Sequence, residues 1–296
     1  MEISSLYQPT PQELAYFGIT PVRSGKVRDL YRFQDELWLV ASDRISAFDC
    51  IMPTEIPHKG VILTQLSKFW FEKTQAIVPN HVLGYSVPDS LPLTWWEGRL
   101  VRARRTEVIP VECVARGYLA GSGWKEYQQC GTVGGHPMPA GLIESAELPH
   151  PIFTPAAKID AHDENLTPAE AIAKLGQPLY DKLSALTLEL YGFAREYARR
   201  RGIIIADTKF EFGRVGDEII LIDEALTPDS SRFWPAAEYV AGRSQPSFDK
   251  QYLRDYLQGL VDTGLWDKNP PGPSLPEGVV QGTLRKYQEA LDLLTQ

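Results

Sequence analysis

The sequence predicts an α+β protein of two lobes, each built on antiparallel hairpins. Three features carry that expectation: a strand–turn–strand pattern near the start of the chain, a second one around residue 216, and helical periodicities set between them. Residues 26–33 and 36–41 read as the first hairpin, turning at Gln34-Asp35. From Gly60, "GVILTQLSKFWFEKT" places Ile62, Leu66, Phe69 and Trp70 at helical spacing. Two β-rich runs then flank Pro110, which suits a joint and divides the chain into lobes 1–109 and 110–296. Residues 124–168 are dense in Gly and Pro, lack a periodic apolar pattern and read as a long, ordered, functional loop. Residues 179–201 form the clearest helix, with a stripe of Leu179, Leu183, Leu186, Leu190, Phe193 and Tyr197 and with Gly202 as its stop. A last helix, "TLRKYQEALDLL", docks through Leu284, Tyr287, Ala290, Leu291 and Leu294.

Composition excludes several classes. A chain of 296 residues that is 43% apolar can bury a real core. A formal charge of −8 argues against a general nucleic-acid or anionic-membrane binder, so any anion site has to be local. Cys50, Cys113 and Cys130 are widely spaced and form no CxxC pair, as expected of reduced thiols rather than a disulfide or metal framework. The N-terminal run has neither a basic start nor an apolar h-region, and no stretch approaches the ~20 apolar residues of a membrane span. A cytoplasmic protein is expected.

The most informative stretch is "IIADTKFEFG", residues 204–213. Its opening reads as a strand covered on both faces, and beyond Ala206 it alternates, with Asp207, Lys209 and Glu211 on one face and Thr208, Phe210 and Phe212 on the other. After a turn, "IILIDEA" reads as a second buried strand ending in Asp223 and Glu224. A loop of 214–218 would set Gly213 opposite Ile219 and Lys209 opposite Asp223, leaving Glu211 and Asp223 as diagonal neighbours. Two carboxylates sharing one site need a positive partner, either Mg²⁺ with nucleotide phosphates or Lys209 itself. The plainer alternative is a solvated hairpin face. Charges at the exit of a buried sheet favour a ligand site. Downstream, Arg232 beside Ser230 and Ser231 suits a phosphate or carboxylate.

Two nucleotide motifs fail. "RSGKVRD" lacks the spacing of a P-loop, and "GSGWKE" lacks the third glycine and βαβ context of a dinucleotide fingerprint. A glycine turn feeding a hairpin, with Lys26 and Arg28 alternating onto one face, instead has the form of the lid that protein kinases lay over ATP phosphates.

Taken in order, "SGKVRDLY", "ASDRISAFD", "VECVARGYLAGSGWKEY", "DTKFEFG" and "LIDEALTPDSSRFWP" closely resemble the SAICAR synthetase family, from about Ser24 to the C-terminal helix. Length and the Gly/Pro-rich insert resemble the longer, yeast-like form. Shorter bacterial members carry "GKAK" where this chain has "GKVR", so Arg28 stands where they have a lysine. The resemblance implies a two-lobed architecture with ATP in the cleft and a kinase- or ATP-grasp-like N-terminal lobe. It implies a ligase that joins carboxyaminoimidazole ribotide to L-aspartate at the expense of ATP, with Mg²⁺, and a monomer. Gly25, Lys26 and Arg28 would meet the ATP phosphates, and Glu211 and Asp223 would hold Mg²⁺. Lys209 and Asp207 would face the carboxyimidazole. Arg116, Ser122 and Arg232 would bind the ribotide phosphate and its neighbours, and Asp163, in "HDEN", would close on substrate. Glu112 shares a strand face with Arg116 and would meet either the adenine or the joint between lobes. Asp43, Arg44, Ser46 and Asp49 match a signature without a role. On the residues alone a kinase and a non-catalytic nucleotide-binding module stay open, although no HRD loop or DFG triplet supports a protein kinase.

Overall fold

The structure is a computed structural model that describes residues 9–158 and 163–296, with the backbone alone at 158, 163 and 164. After a one-and-a-half-turn helix α1 (Pro11–Tyr16), capped by Thr10 and Glu13, the chain forms the meander β1 (Ile19–Ser24), β2 (Arg28–Phe33) and β3 (Glu36–Ala41). The expected hairpin is present, but β2 begins at Arg28 and gains a further partner, β1, from the segment that precedes the expected hairpin. The small hairpin β4 (Ser46–Ala47) and β5 (Cys50–Ile51) precedes α2 (Lys59–Thr74). β6 (Val82–Gly84) and β7 (Leu100–Arg104) complete a five-stranded antiparallel sheet of order β1-β2-β3-β7-β6.

The second sheet starts at β8 (Glu107–Val108) and β9 (Val111–Tyr118), which flank Pro110. Next come α3 (Gly121–Cys130), the two-residue strands β10 (Thr132–Val133) and β11 (His136–Pro137), β12 (Glu147–Lys158) and β13 (Asp163–Asn165). The long loop expected over 124–168 is therefore not a loop: it contributes a twelve-residue strand paired to β9. Its prolines mask it in the sequence. The register shifts between Glu147 and Ile152, so Pro149 and Pro151 fall where no ladder amide is required. A second short helix, α4 (Pro168–Leu175), carries a Thr167–Glu170 capping box and also lies beyond the sequence expectation.

The helix α5 (Gln177–Arg199) ends at Gly202, whose φ of 77° provides the left-handed stop. Its buried face runs through Leu183, Leu190, Tyr191, Ala194 and Ala198, while Phe193 at the edge of the expected stripe is 39% exposed. The chain then enters β14 (Ile203–Val215), the thirteen-residue spine of the sheet. One edge of β14 pairs with β9 and β8, and the other with β15 (Glu218–Ile222) and β16 (Ser231–Pro235). Helices α6 (Gln251–Asp262) and α7 (Glu277–Thr295) close the fold.

The main core lies between this sheet and α2, α5 and α7, where Trp70, Phe71, Tyr191, Phe210, Phe212 and Tyr287 are fully buried. Helix α2 thus packs its apolar face on the second sheet although its sequence follows the first. Ile45, Ala47, Cys50 and Met52 likewise pack with Leu253, Leu257 and Val280.

Candidate active site

Gly25 donates its amide to the carbonyl of Arg28 at 2.7 Å, and a Cβ at Gly25 would stand 3.0 Å from that same oxygen, so a side chain there would crowd the turn feeding β2. Lys26 at the tip reaches Asp49 at 2.6 Å with both side chains well exposed. Arg28 reaches across to the second sheet instead. Its Nη2 donates to Asp223 Oδ2 at 2.7 Å and to Glu224 Oε1 at 3.3 Å. Burial works against the Arg28 charge, but Asp223, Glu224, Glu211 and Asp229 outweigh it and raise its pKa.

The alternation of the charged strand stands: Phe210 and Phe212 face the core, and Asp207, Lys209 and Glu211 share the opposite face. The register needs correction by one residue. Gly213 pairs with Ile220 and Glu211 with Ile222, because the hairpin turns through Gly216-Asp217 alone, with Gly216 at a φ of 61°. Lys209 therefore does not face Asp223. It pairs with Val114 of β9, and its Nζ donates to Glu112 Oε1 at 2.5 Å. Glu112 is only 3% exposed and sits with Lys209. Asp223 still joins Glu211 around Arg28, since its φ of 69° ends β15 and breaks the strand alternation.

A cavity of about 220 Å³ opens over this face and is lined by Arg116, Lys209, Arg232 and Arg254 against Asp207 and Asp229. Arg116 runs along the floor, donating to Thr154 Oγ1 at 2.9 Å and to Ser122 Oγ at 3.1 Å. Asp207 lies between two guanidiniums, accepting from Arg232 and standing 3.5 Å from Arg116. Burial lowers the pKa of Arg116, whereas Asp207 raises that of Arg232, and both stay cations at neutral pH. Gly121, at a φ of 56°, leaves the space Arg232 needs: a Cβ there would stand 2.1 Å from Nη2. Four cations against two acids give the cavity a net positive lining that suits an anion. Asp163 is described in backbone only, opposite Lys158 in β13, and His162 lies outside the described residues. Among the described residues, no three His, Cys, Asp or Glu converge as a ready-made metal site.

Residues 21–270 match the family model described as SAICAR synthetase. The chain is 51% identical to the phosphoribosylaminoimidazole-succinocarboxamide synthase of Streptomyces avermitilis over 290 residues, 96% of each chain. It is 51% identical to that of Methylobacillus flagellatus over 282 residues, 93% of this chain and 94% of the relative. The chain belongs to the SAICAR synthetase family. Its fold matches the SAICAR synthase of Saccharomyces cerevisiae, solved with SAICAR, at a TM-score of 0.85 and 42% identity, over 99% of this chain and 96% of that one.

Within this SAICAR synthetase fold, the sequence reading missed the support beneath the cavity. Asp229 accepts from Lys59 Nζ at 2.8 Å and from Tyr287 Oη at 2.7 Å, and Lys250 Nζ stands 3.2 Å away. Lys59 is fully buried, and nothing in its local sequence distinguishes it from a surface lysine. Lys250 and Arg254, one turn apart at the start of α6, offered a readable signal: two cations at i, i+4 on a face that reaches the cavity.

Proposed function

We propose that the protein is the ATP-dependent ligase that joins carboxyaminoimidazole ribotide to L-aspartate, giving SAICAR, ADP and phosphate in de novo purine synthesis. One observation carries this reading: a single strand face places Lys209, in the anion-binding cavity, two residues from Glu211, in the acidic corner around Arg28. A phosphorylated carboxylate and a nucleotide polyphosphate with its cation thereby find complementary charge side by side.

A carboxylate resists attack by an amine. Transfer of the γ-phosphoryl group to a carboxylate oxygen of the ribotide releases ADP and creates an acyl phosphate. The aspartate amine then attacks the carbonyl carbon, the C–O bond to phosphate breaks, and the nitrogen loses a proton. The protein's task is positioning and charge neutralisation. Gly25, Lys26 and Arg28 meet the ATP phosphates, Lys209 and Asp207 face the carboxyimidazole, and Arg116, Ser122 and Arg232 hold the ribotide phosphate. Glu112 acts through Lys209, which it contacts, and Asp163 closes on substrate.

Mg²⁺ suits the corner: Glu211 and Asp223 supply hard oxygens, and among the described residues no three His, Cys, Asp or Glu converge into a cage. That matches a cation that takes one or two carboxylates and completes its shell with phosphates and water. Bound there it would neutralise phosphate charge. The division into lobes 1–109 and 110–296, with nucleotide between them, belongs to the same reading, as do a monomeric state and the cytoplasm. Among the described residues no helix is long and apolar enough to cross a membrane.

The test is ADP release with Mg-ATP and the ribotide, with and without L-aspartate, and mass analysis of the product. ADP release that requires all three and yields SAICAR supports the ligase. A stable phosphorylated ribotide formed without aspartate would mark a kinase, and nucleotide binding without turnover a binding module.

A further inference from the structure

We infer that Arg44 is the positioning residue of the phosphate loop, holding Gly25–Arg28 in shape from the side opposite the ligand. This deepens the function proposed above and rests on its reading of that loop. Arg44 donates from Nη2 to the carbonyl of Gly25 at 3.1 Å and from Nε to the carbonyl of Lys26 at 3.4 Å. The same guanidinium forks onto Asp29, from Nη1 at 3.1 Å and Nη2 at 2.8 Å, and Asp29 accepts Ser24 Oγ from the facing strand at 2.5 Å. The next carbonyl, of Val27, is taken by Ser42, from its amide at 3.0 Å and its hydroxyl at 2.9 Å.

Three consecutive carbonyls are thus tied down by two residues of the "SDR" run. In a trans peptide the carbonyl and the following N–H point in opposite directions, so the amides of Lys26 and Val27 point away from Arg44. Successive amides turned to one side, flanked by the Lys26 and Arg28 side chains, form an anion-binding concavity. The Arg44 side chain is 20% exposed, and its partners are loop carbonyls and Asp29, not the cavity. Only a planar fork reaches both carbonyls and the carboxylate at once; a lysine ammonium cannot.

The test compares R44K with R102K. Arg102 makes a similar fork, onto Glu36 within the same sheet, and touches nothing in the loop. In wild type and both variants, thermal stability, direct Mg-ADP binding, and KM for ATP, ribotide and aspartate are measured. R44K is expected to weaken Mg-ADP binding and raise KM for ATP about tenfold, the loss of one charge-assisted hydrogen bond's worth of alignment. Its KM for ribotide and aspartate should stay near wild type, and its thermal stability should match that of R102K, which keeps wild-type nucleotide affinity. Wild-type nucleotide affinity in R44K, or a parallel rise in all three KM values, overturns the inference. Should R44K fold poorly, Asp29→Asn, which loosens one side of the fork, carries the same expectation. A wild-type protein that binds no Mg-ADP would instead overturn the reading of the loop itself.

Discussion

Two charged clusters of the molecule differ in depth. Lys26, in the turn before β2, and Asp49, in the β4–β5 hairpin, pair at 2.6 Å with side chains 46% and 60% exposed. Asp229, beneath the cavity, meets Lys59 at 2.8 Å with exposures of 2% and 0%. An exposed pair exchanges its partner for water or phosphate at little cost. A buried one cannot lose a member without stranding a charge. Lys26, proposed to meet phosphate, sits in the first kind of environment, and Asp229, which braces the loop beneath the cavity, sits in the second.

The contrast is broken most directly at Asp229. D229N leaves Lys59 and Lys250 facing a neutral amide, and a loss of about 3–5 kcal/mol is expected in denaturant unfolding; wild-type stability would erase the distinction. The acids beside Arg28 lie between the extremes. E211Q and D223N should lower kcat by about a hundredfold or more while the folded state persists by circular dichroism.

Acid titration separates two buried carboxyls of opposite sign. Burial opposes the charge of Asp229, but Lys250, Lys59 and Tyr287 override it and hold its pKa well below the usual range, so its contribution is present above about pH 4 and is lost on acidification below that. Burial pushes Asp249 up from 3.8 to about 6, so the stability it contributes is present below 3.8 and is lost as pH rises through about 6. Melting temperature against pH should therefore carry a falling component between those values that vanishes in D249N, whatever the absolute stability of that variant. The smallest effect belongs to the surface pair: D49N should change stability by no more than about 0.5 kcal/mol. A larger loss would mean that Lys26 is held as firmly as Lys59.

What could be read in advance follows the range of the interactions involved. The first hairpin, α5, α7 and the Asp207, Lys209, Glu211 face depend on periodicities within a few residues, and each is present. The hairpin register depends on where "GRVGDE" turns, and a shift of one residue separated Lys209 from Asp223. β12 was hidden because two of its three prolines, Pro149 and Pro151, occupy an irregularity visible only once β9 is alongside. Arg28 and Asp223 are 195 positions apart, and Lys59 and Asp229 are 170 apart. No local pattern encodes such meetings, so the residue types in the site were legible and their pairings were not.

The route of α2 has a mechanical consequence. Because this helix leaves the first sheet and buries Leu66, Trp70 and Phe71 against the second, the halves are laced together rather than hinged. Movement between the two sheets is thereby confined to the outer strands β1 and β2, which on the proposed reading would act as a flap over bound nucleotide on an otherwise stiff body.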